Sequence, residues 1–214
     1  MKHKNKKLRN LKALMYFLRN DKKAKYNRVL PLNEYIGDRW EKSKYLKWGE
    51  GSNCYDNVYI FGDVKVGENT FVGPFCILDG GGGLEIGKFC SIAAGVQIYT
   101  HHSVKWANSG GKESLQYAPV VIEDYCYIGP NAVISMGVTI GKGAIVGACS
   151  FVNKDVPPFT KVAGCPAKTI STNTGGNMKD INPLVRGGGI LALFAEATSC
   201  RISLWHRGVK NAAA

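Results

Sequence analysis

Residues 122–152 read IEDYCYIGPNAVISMGVTIGKGAIVGACSFV, and an aliphatic residue stands at every sixth position of this stretch. Neither the 3.6-residue period of a helix nor the two-residue period of a half-buried strand produces a strict six. A chain that coils as a triangular prism does, because each flat face takes about six residues and turns one aliphatic side chain inward. The predicted inward residues are Ile122, Ile128, Ile134, Ile140, Val146 and Val152.

The same step continues upstream, from Ile60 to Leu78 and from Ile86 to Ile98. Glycine often follows the aliphatic residue, as expected where the backbone bends or meets a neighbouring coil. The fifth position of each repeat is small or β-branched, which predicts that three cysteines are buried fillers of the interior. These cysteines are Cys76, Cys90 and Cys126. We therefore predict an all-β fold, a parallel β-helix over residues 57–157.

Two stretches break the step. Leu78 and Ile86 are eight residues apart, and the two extra residues enter at Gly80–Gly83. A phosphate loop is not expected there, because no Gly-Lys-Ser/Thr follows, so we predict a bulged corner. The second break is a loop over residues 100–119, with His101 and His102 at its root. A long loop on a compact scaffold is usually functional.

The charge is concentrated at one end of the chain. Eleven of the 28 basic residues lie between Lys2 and Arg28, where only Asp21 opposes them. We assign residues 1–56 to a basic helical arm and cap, and residues 158–214 to a C-terminal extension. The arm places Leu8, Leu11, Met15 and Leu18 on one helical face. Three interpretations stay open: a cap, a trimer contact, or a helix that lies on a membrane surface.

Nucleic acid is not an expected partner, because the chain has no reader motif and its basic residues lie on an arm. The seven cysteines are scattered and form no Cys-x-x-Cys pair, which argues against a disulfide framework or a structural zinc site. The chain shows no secretory segment and no apolar run of membrane-spanning length. We expect a cytoplasmic protein, with membrane association through the arm as the open option.

The chain from Val58 to Ile170 resembles the hexapeptide-repeat acyltransferases, in particular acetyl-CoA-dependent sugar O-acetyltransferases of the maltose and galactoside type and their relatives in surface-polysaccharide pathways. The most specific matching stretch is YIGPNAVISMGVTIGKGAIVGACSFVNKDVPPFTKVAGCPAKTI, together with the histidine-bearing loop. The resemblance implies a left-handed β-helix and a homotrimer with active sites between neighbouring prisms. It also implies acetyl-CoA as the donor, a sugar or glycan acceptor, and no metal.

The resemblance places the catalytic histidine shortly after the last aliphatic residue before the loop, which is His101 or His102 here. A neutral imidazole suits the task of taking a proton from the attacking hydroxyl. Relatives with a histidine three residues after the aliphatic position favour His101, whereas those that read Thr-Gly-His favour His102. We prefer His101. Adjacent side chains of an extended segment point to opposite sides, so we expect only one to face the site.

Coenzyme A contacts also follow from the resemblance, with backbone groups meeting the pantetheine arm and lysines meeting the phosphates. The residues are Tyr127, Gly129, Ala148, Lys154 and Lys168. Pro130 has no N–H, so a donor for the oxyanion stays unassigned. In the loop, Trp106, Glu113 and Tyr117 are candidates to bind a sugar or nucleotide, and packing on a neighbouring subunit is the alternative for each.

Other functions compete with sugar O-acetylation. The first is N-acetylation of a nucleotide-linked amino sugar, which one sequence does not separate from attack by a hydroxyl. The second is a zinc carbonic anhydrase built on the same prism, which needs three histidine ligands where the prism supplies only His101 and His102. The third is a non-catalytic scaffold, for which the loop would be dispensable.

Overall fold

A computed structural model describes residues 2–172 of the chain. Most of the predicted C-terminal extension, including Cys200, lies outside the described residues. The helices within this range are α1 (Lys2–Tyr26), α2 (Asn33–Ile36), α3 (Arg39–Tyr45) and α4 (Val104–Asn108). The strands, in chain order, are β1 (Asn53–Cys54), β2 (Tyr59–Val66), β3 (Phe71–Val72), β4 (Ile77–Ile86), β5 (Ser91–Ile92), β6 (Gln97–Ile98), β7 (His101–His102), β8 (Gln116–Tyr117), β9 (Val120–Ile122), β10 (Tyr127–Ile128), β11 (Val133–Ile134), β12 (Thr139–Ile140), β13 (Ile145–Val146), β14 (Phe151–Val152), β15 (Thr160–Ala163) and β16 (Lys168–Thr172).

These strands stack as parallel coils on three faces and form the predicted left-handed β-helix. Each face is a ladder of aligned inward residues, because a step of six returns the chain to the same face after about eighteen residues. The coil that contains the loop takes about twice as many. The first face aligns Cys54, Val72, Ile92, Ile128, Val146 and Val162. The second aligns Ile60, Leu78, Ile98, Ile134 and Val152. The third aligns Val66, Ile86, Ile122, Ile140 and Val156.

The core is the interior of the prism. Every inward residue of the three ladders is buried except Ile60, which is partly exposed. The small residues at the fifth position are buried too, which confirms the predicted role of Cys76, Cys90 and Cys126 as interior fillers. Burial raises the pKa of the Cys76 thiol to about 11, as expected for a group that would be charged in an apolar interior.

The glycine run forms the predicted bulged corner between the second and third faces. The long strands β2 and β4 both cross this corner, and their register shifts between Gly62 and Val64. Gly62 pairs with Gly80 while Val64 pairs with Leu84, so β4 holds two more residues than β2. A Cβ atom on Gly80 would lie 2.2 Å from the carbonyl oxygen of Asp63, so the corner has no room for a larger residue.

The coils extend beyond the predicted bounds of 57 and 157. The first coil begins with β1, because Asn53–Cys54 pairs in parallel with Phe71–Val72. The last includes β15, which pairs in parallel with β13 and antiparallel with β16. Before the first coil, the Nζ atom of Lys42 donates to the carbonyls of Tyr55, Asp56 and Val58 at 3.3, 2.8 and 3.0 Å. Helix α3 therefore supplies a hydrogen-bond donor to backbone carbonyls at the open end of the first coil.

Candidate active site

The loop of residues 100–119 leaves the prism at the corner between the second and third faces. It departs after β6 on the second face and returns at β9 on the third. One coil earlier, the same corner is the glycine-rich bulge of β4. The root of the loop therefore lies directly against residues 79–83, which the chain passed about twenty residues before.

Asp79 of β4 lies at this root and is almost completely buried, with its side chain 4% exposed. Its Oδ1 atom accepts the Gly81 N–H at 2.9 Å. Its Oδ2 atom accepts both the N–H and the hydroxyl of Thr100, at 2.8 and 3.1 Å. The Nδ1 atom of His101 lies 2.6 Å from the same Oδ2 atom. A buried carboxylate is thus held by four hydrogen bonds.

These contacts keep Asp79 ionised. Burial is the largest single influence on its pKa and raises it, because it disfavours the charged form. Hydrogen bonds from Gly81, Thr100 and His101 act in the opposite direction and together outweigh burial. The pKa of Asp79 is therefore lowered from its ordinary value, and the group is a carboxylate at neutral pH.

The position of Asp79 determines what His101 is able to do. A carboxylate only accepts hydrogen bonds, so the Nδ1 atom of His101 carries the proton of the shared bond. The Nε2 atom of a neutral imidazole then has a free lone pair. The side chain is 39% exposed, and its ring stacks on Tyr117 with centroids 5.5 Å apart. His101 is thus oriented by a buried carboxylate, and its side chain is accessible to a group that donates a proton to Nε2.

His102 differs from its neighbour. In the hairpin of β7 and β8, His101 is opposite Tyr117 and His102 is opposite Gln116, so the two imidazoles leave opposite sides of the strand. The Nδ1 atom of His102 accepts the Val104 N–H at 3.4 Å, a long hydrogen bond. Of the two histidines, only His101 contacts the buried carboxylate.

The loop candidates for acceptor binding do not cluster. Tyr117 stacks on His101, as described above. Trp106, in α4, is half exposed and lies beside Gly111, where an added Cβ atom would be 3.6 Å from its Nε1 atom. Glu113 has an exposed side chain, and its N–H donates to the Ser109 hydroxyl at 2.9 Å. Along the described chain, no hydrogen bond or ring contact links Trp106 or Glu113 to His101.

The residues expected to hold coenzyme A divide between two edges of the prism. Gly129 and Ala148 follow strands β10 and β13 of the first face, and they are adjacent, since a Cβ atom on Gly129 would lie 2.6 Å from the Ala148 nitrogen. Tyr127 is half buried on that face, and desolvation raises its pKa. Lys168 is exposed in β16 of the same sheet.

Lys154 lies at the other edge, with His101. It follows β14, which stacks on β11 and thereby on β6, the strand that precedes the loop. Two coils separate Lys154 from the loop root, a distance on the order of 10 Å at about 4.8 Å per coil. The roughly six residues of a face are joined by about five steps of about 3.3 Å, which span roughly 17 Å, so the Gly129 edge is well separated from His101 in one chain.

Asp79 is the site residue that the sequence analysis missed. Its local signal was present: glycine often follows the inward aliphatic residue, but an acidic residue follows Leu78 and precedes the glycine run. A carboxylate at a buried corner needs hydrogen-bond donors, and the nearest coil above it carries Thr100 and His101. Among residues 6–172, His, Cys, Asp and Glu side chains form no group of three or more that is placed to hold a metal ion.

Two family models match the chain. The model for the bacterial transferase hexapeptide (six repeats) matches residues 119–154. The model for the hexapeptide repeat of succinyl-transferase matches residues 63–100. The two matches cover the parts of the prism that precede and follow the loop.

Solved structures resemble the chain over most of its prism. The hexapeptide-repeat-containing acetyltransferase VCA0836 from Vibrio cholerae is 31% identical, with a TM-score of 0.58 over 74% of this chain and 92% of that one. A second structure of it, complexed with acetyl coenzyme A, is also 31% identical, with a TM-score of 0.51 over 76% of this chain and 88% of that one. AntD, an N-acyltransferase from Bacillus cereus in complex with dTDP and 3-hydroxybutyryl-CoA, shares the fold at 19% identity, with a TM-score of 0.53 over 62% of this chain and 87% of that one.

Among curated proteins, a 2,3,4,5-tetrahydropyridine-2,6-dicarboxylate N-acetyltransferase of Staphylococcus aureus is 60% identical over 53 residues. The matched segment is 25% of this chain and 22% of that enzyme. The chain thus spans about a fifth of the length of the curated relatives it matches.

Proposed function

Because the chain belongs to the hexapeptide-repeat acyltransferase family, we propose that it transfers an acetyl group from acetyl-CoA to a hydroxyl of a sugar or surface-glycan precursor, with His101 as the general base. One observation carries the proposal: a half-exposed imidazole at the root of the extruded loop is held through Nδ1 by the buried carboxylate of Asp79. Such a pair is an oriented base rather than a solvated loop histidine.

The chemistry follows from this geometry. The acceptor hydroxyl attacks the thioester carbonyl while the Nε2 atom of His101 takes its proton. The imidazolium formed in this step is stabilised by Asp79, as a charge-assisted hydrogen bond is stronger than a neutral one. The tetrahedral intermediate then collapses, the C–S bond breaks, and the imidazolium returns its proton to the departing thiolate. Tyr117 keeps the imidazole in place by stacking on one face of the ring, while Asp79 holds the Nδ1 edge.

The acyl donor is supported by the comparisons. A 31% identical structure is complexed with acetyl coenzyme A, and a structure of the same fold holds 3-hydroxybutyryl-CoA. On this chain we assign the donor to Tyr127, Gly129, Ala148, Lys154 and Lys168. The exposed lysines would pair with phosphates, and the close approach of Gly129 to Ala148 leaves backbone groups rather than a side chain at that edge.

The separation of the two edges supports a homotrimer. One chain alone leaves the Gly129 edge roughly 17 Å from the edge that carries His101 and Lys154. A cyclic arrangement brings the first edge of one prism against the second edge of its neighbour, so that each site is completed by two chains. In this arrangement Trp106 and Glu113, which do not contact the His101 of their own chain, would face the acceptor or the neighbouring prism.

Acetylation of an amine is the second candidate. The curated relatives are N-acetyltransferases, and the 60% identity of their matched segment is the observation that favours it. The proposed base serves either acceptor, since an attacking hydroxyl and an attacking neutral amine each lose one proton in the course of the transfer. The acceptor class, and not the mechanism, therefore separates the two candidates.

The test is thiol release from acetyl-CoA with a panel of sugars, glycan precursors and nucleotide-linked amino sugars. We expect acceptor-dependent release that falls by about 10²-fold or more in His101→Ala, the loss typical of removing a general base. His102→Ala is the matched control and should stay within a few-fold of the natural protein. Full activity in His101→Ala, or no release with any acceptor in the panel, would show that the loop serves binding or assembly instead.

A further inference from the structure

Helix α1 carries an apolar stripe that the described chain leaves uncovered. With 3.6 residues per turn, Leu8, Leu11, Leu14, Met15 and Leu18 lie on one side of the helix. Leu8, Leu11 and Leu14 are each about half exposed, at 51%, 49% and 52%. Leucines grouped in this way on a water-facing helix mark an interaction surface, because scattered exposed residues would not share one face.

The same helix is strongly basic. It holds ten Lys and Arg residues and one acidic residue, Asp21, which gives a net charge of +9. Asp21 is itself engaged, with its Oδ1 atom 2.9 Å from the Nζ atom of Lys25. Like charges three and four residues apart destabilise a helix that stands in water. A negatively charged partner would therefore stabilise α1 as well as bind it.

The far end of α1 is attached to the cap of the prism. Lys22 and Tyr26 line a groove together with Trp40 and Tyr55. The segment that follows the helix is fixed by a hydrogen bond in which the Leu30 N–H donates to the Tyr35 hydroxyl at 2.6 Å. Residues 6–14, which include most of the stripe, are all exposed. The helix thus has one supported end and one uncovered segment.

We propose that α1 lies in the plane of an anionic lipid surface, with its leucine stripe at the boundary of headgroups and acyl chains and its lysines among the lipid phosphates. Charge selects this partner over a second copy of the chain, because pairing two α1 helices would bring two charges of +9 together. The leucines favour a lipid surface over nucleic acid, because nucleic acid would bind the lysines but leave the apolar stripe in water. Within residues 2–172, no helix has the length and hydropathy of a membrane span. The lipid contact does not depend on the proposed acyl transfer.

The experiment is co-sedimentation of the full chain with phosphatidylcholine vesicles, with and without about 30% phosphatidylserine, in the range of anionic leaflets. We expect binding to the anionic vesicles only, weakened at least about tenfold between roughly 0.15 and 1 M salt, as the Debye length falls from about 8 to 3 Å. Lys7→Gln with Lys12→Gln should lower the partition coefficient about 25-fold, at about fivefold for each basic residue.

Leu11→Ser with Leu14→Ser should lower partitioning by about tenfold or more through lost apolar contact. The matched control is Ile36→Ser with Tyr45→Ser, which removes two exposed apolar side chains outside α1 and should leave binding unchanged. Circular dichroism verifies that each variant is folded.

Three results would overturn the proposal. The first is a natural chain that stays in the supernatant with anionic vesicles. The second is a leucine variant that keeps its vesicle binding but changes its mass by light scattering without lipid, since the stripe would then join copies of the chain. The third is a chain that binds duplex DNA at about 0.15 M salt, equally with and without the leucines, while ignoring vesicles.

Discussion

Replacing Asp79 by Asn tests the site most directly, because it keeps the shape of the side chain and removes its charge. The carboxylate accepts four hydrogen bonds, one at Oδ1 and three at Oδ2. If the amide oxygen of Asn takes the place of Oδ2, the amide nitrogen faces the Gly81 N–H and one bond is lost. The expected cost in folding free energy is about 1–3 kcal/mol, the range for a buried polar group that loses its partner.

The same replacement weakens catalysis by a separate amount. A neutral amide oxygen supports the His101 imidazolium by roughly 1–2 kcal/mol less than a carboxylate, which lowers kcat about 5- to 30-fold. If the amide instead turns its NH2 toward Nδ1 of His101, the imidazole must carry its proton on Nε2. The base is then lost, and the reduction grows toward the roughly 10⁴-fold effect known for a wrong histidine tautomer.

The assay is thiol release at saturating acetyl-CoA and acceptor for Asp79→Asn, His101→Ala and the double variant. If Asp79 acts through His101, the double variant should be no slower than His101→Ala alone, within about twofold. Two results would refute the reasoning: an Asp79→Asn enzyme with unchanged kcat, or a double variant whose losses multiply. Either would mean that the carboxylate holds the loop root without orienting the base.

Stability against pH gives an independent test of the same residue. Hydrogen bonds hold the pKa of Asp79 below its ordinary value, so the ionised group stabilises the folded chain above about pH 4. That contribution is lost as the pH falls through the lower, folded-state pKa. In urea unfolding, the free energy of unfolding of the natural protein should exceed that of Asp79→Asn by a constant amount above about pH 5, and the difference should narrow in more acidic buffer. Glu113→Gln, an exposed acid in the same loop, is the control and should show no such difference.

Three further outcomes are expected. Gly82→Ala should lower stability by about 1–3 kcal/mol in urea unfolding and should also lower kcat, because the added Cβ atom would lie 2.5 Å from the Thr100 carbonyl oxygen. Unchanged stability and unchanged kcat would contradict the close packing of Gly82 against the loop root. Ile134→Ala should cost about 2–5 kcal/mol by the same measurement, since the residue is fully buried in the second ladder, and a smaller loss would indicate that the coil collapses around the cavity. Within residues 2–172, a thiol reagent should react quickly with the two exposed cysteines and slowly with the four buried ones, as read by mass spectrometry of labelled peptides; rapid labelling of the interior would show that the prism opens. The exposed pair is Cys149 and Cys165.

Much of the architecture was predictable because a β-helix is built from local repetition. Each coil contacts only its neighbours, so a strict step of six in the sequence predicts which side chains face inward. The ladders, the buried cysteines and the bulge at Gly80–Gly83 were all correct for this reason. Coil pairing also includes Asn53–Cys54 and Thr160–Ala163, outside the predicted range of 57–157. The six-residue pattern is weaker at these ends, because Cys54 is not aliphatic and Val156 comes only four residues after Val152.

The site depended on contacts that the period does not encode. Alternation along an extended segment predicted that only one of the two histidines faces the site, and the family resemblance favoured His101. The contact between His101 and Asp79, however, depends on the register of β7 and β8 and on the place of the loop root. Asp79 and His101 are 22 residues apart, and they meet because the bulge of one coil lies directly under the exit of the next. Hydrophobic periodicity, which is local, therefore determined the scaffold of this protein. The meeting of a buried carboxylate and an imidazole was decided only by the stacking of the coils, because a hydrogen bond between distant residues exists only once the backbone has brought them together.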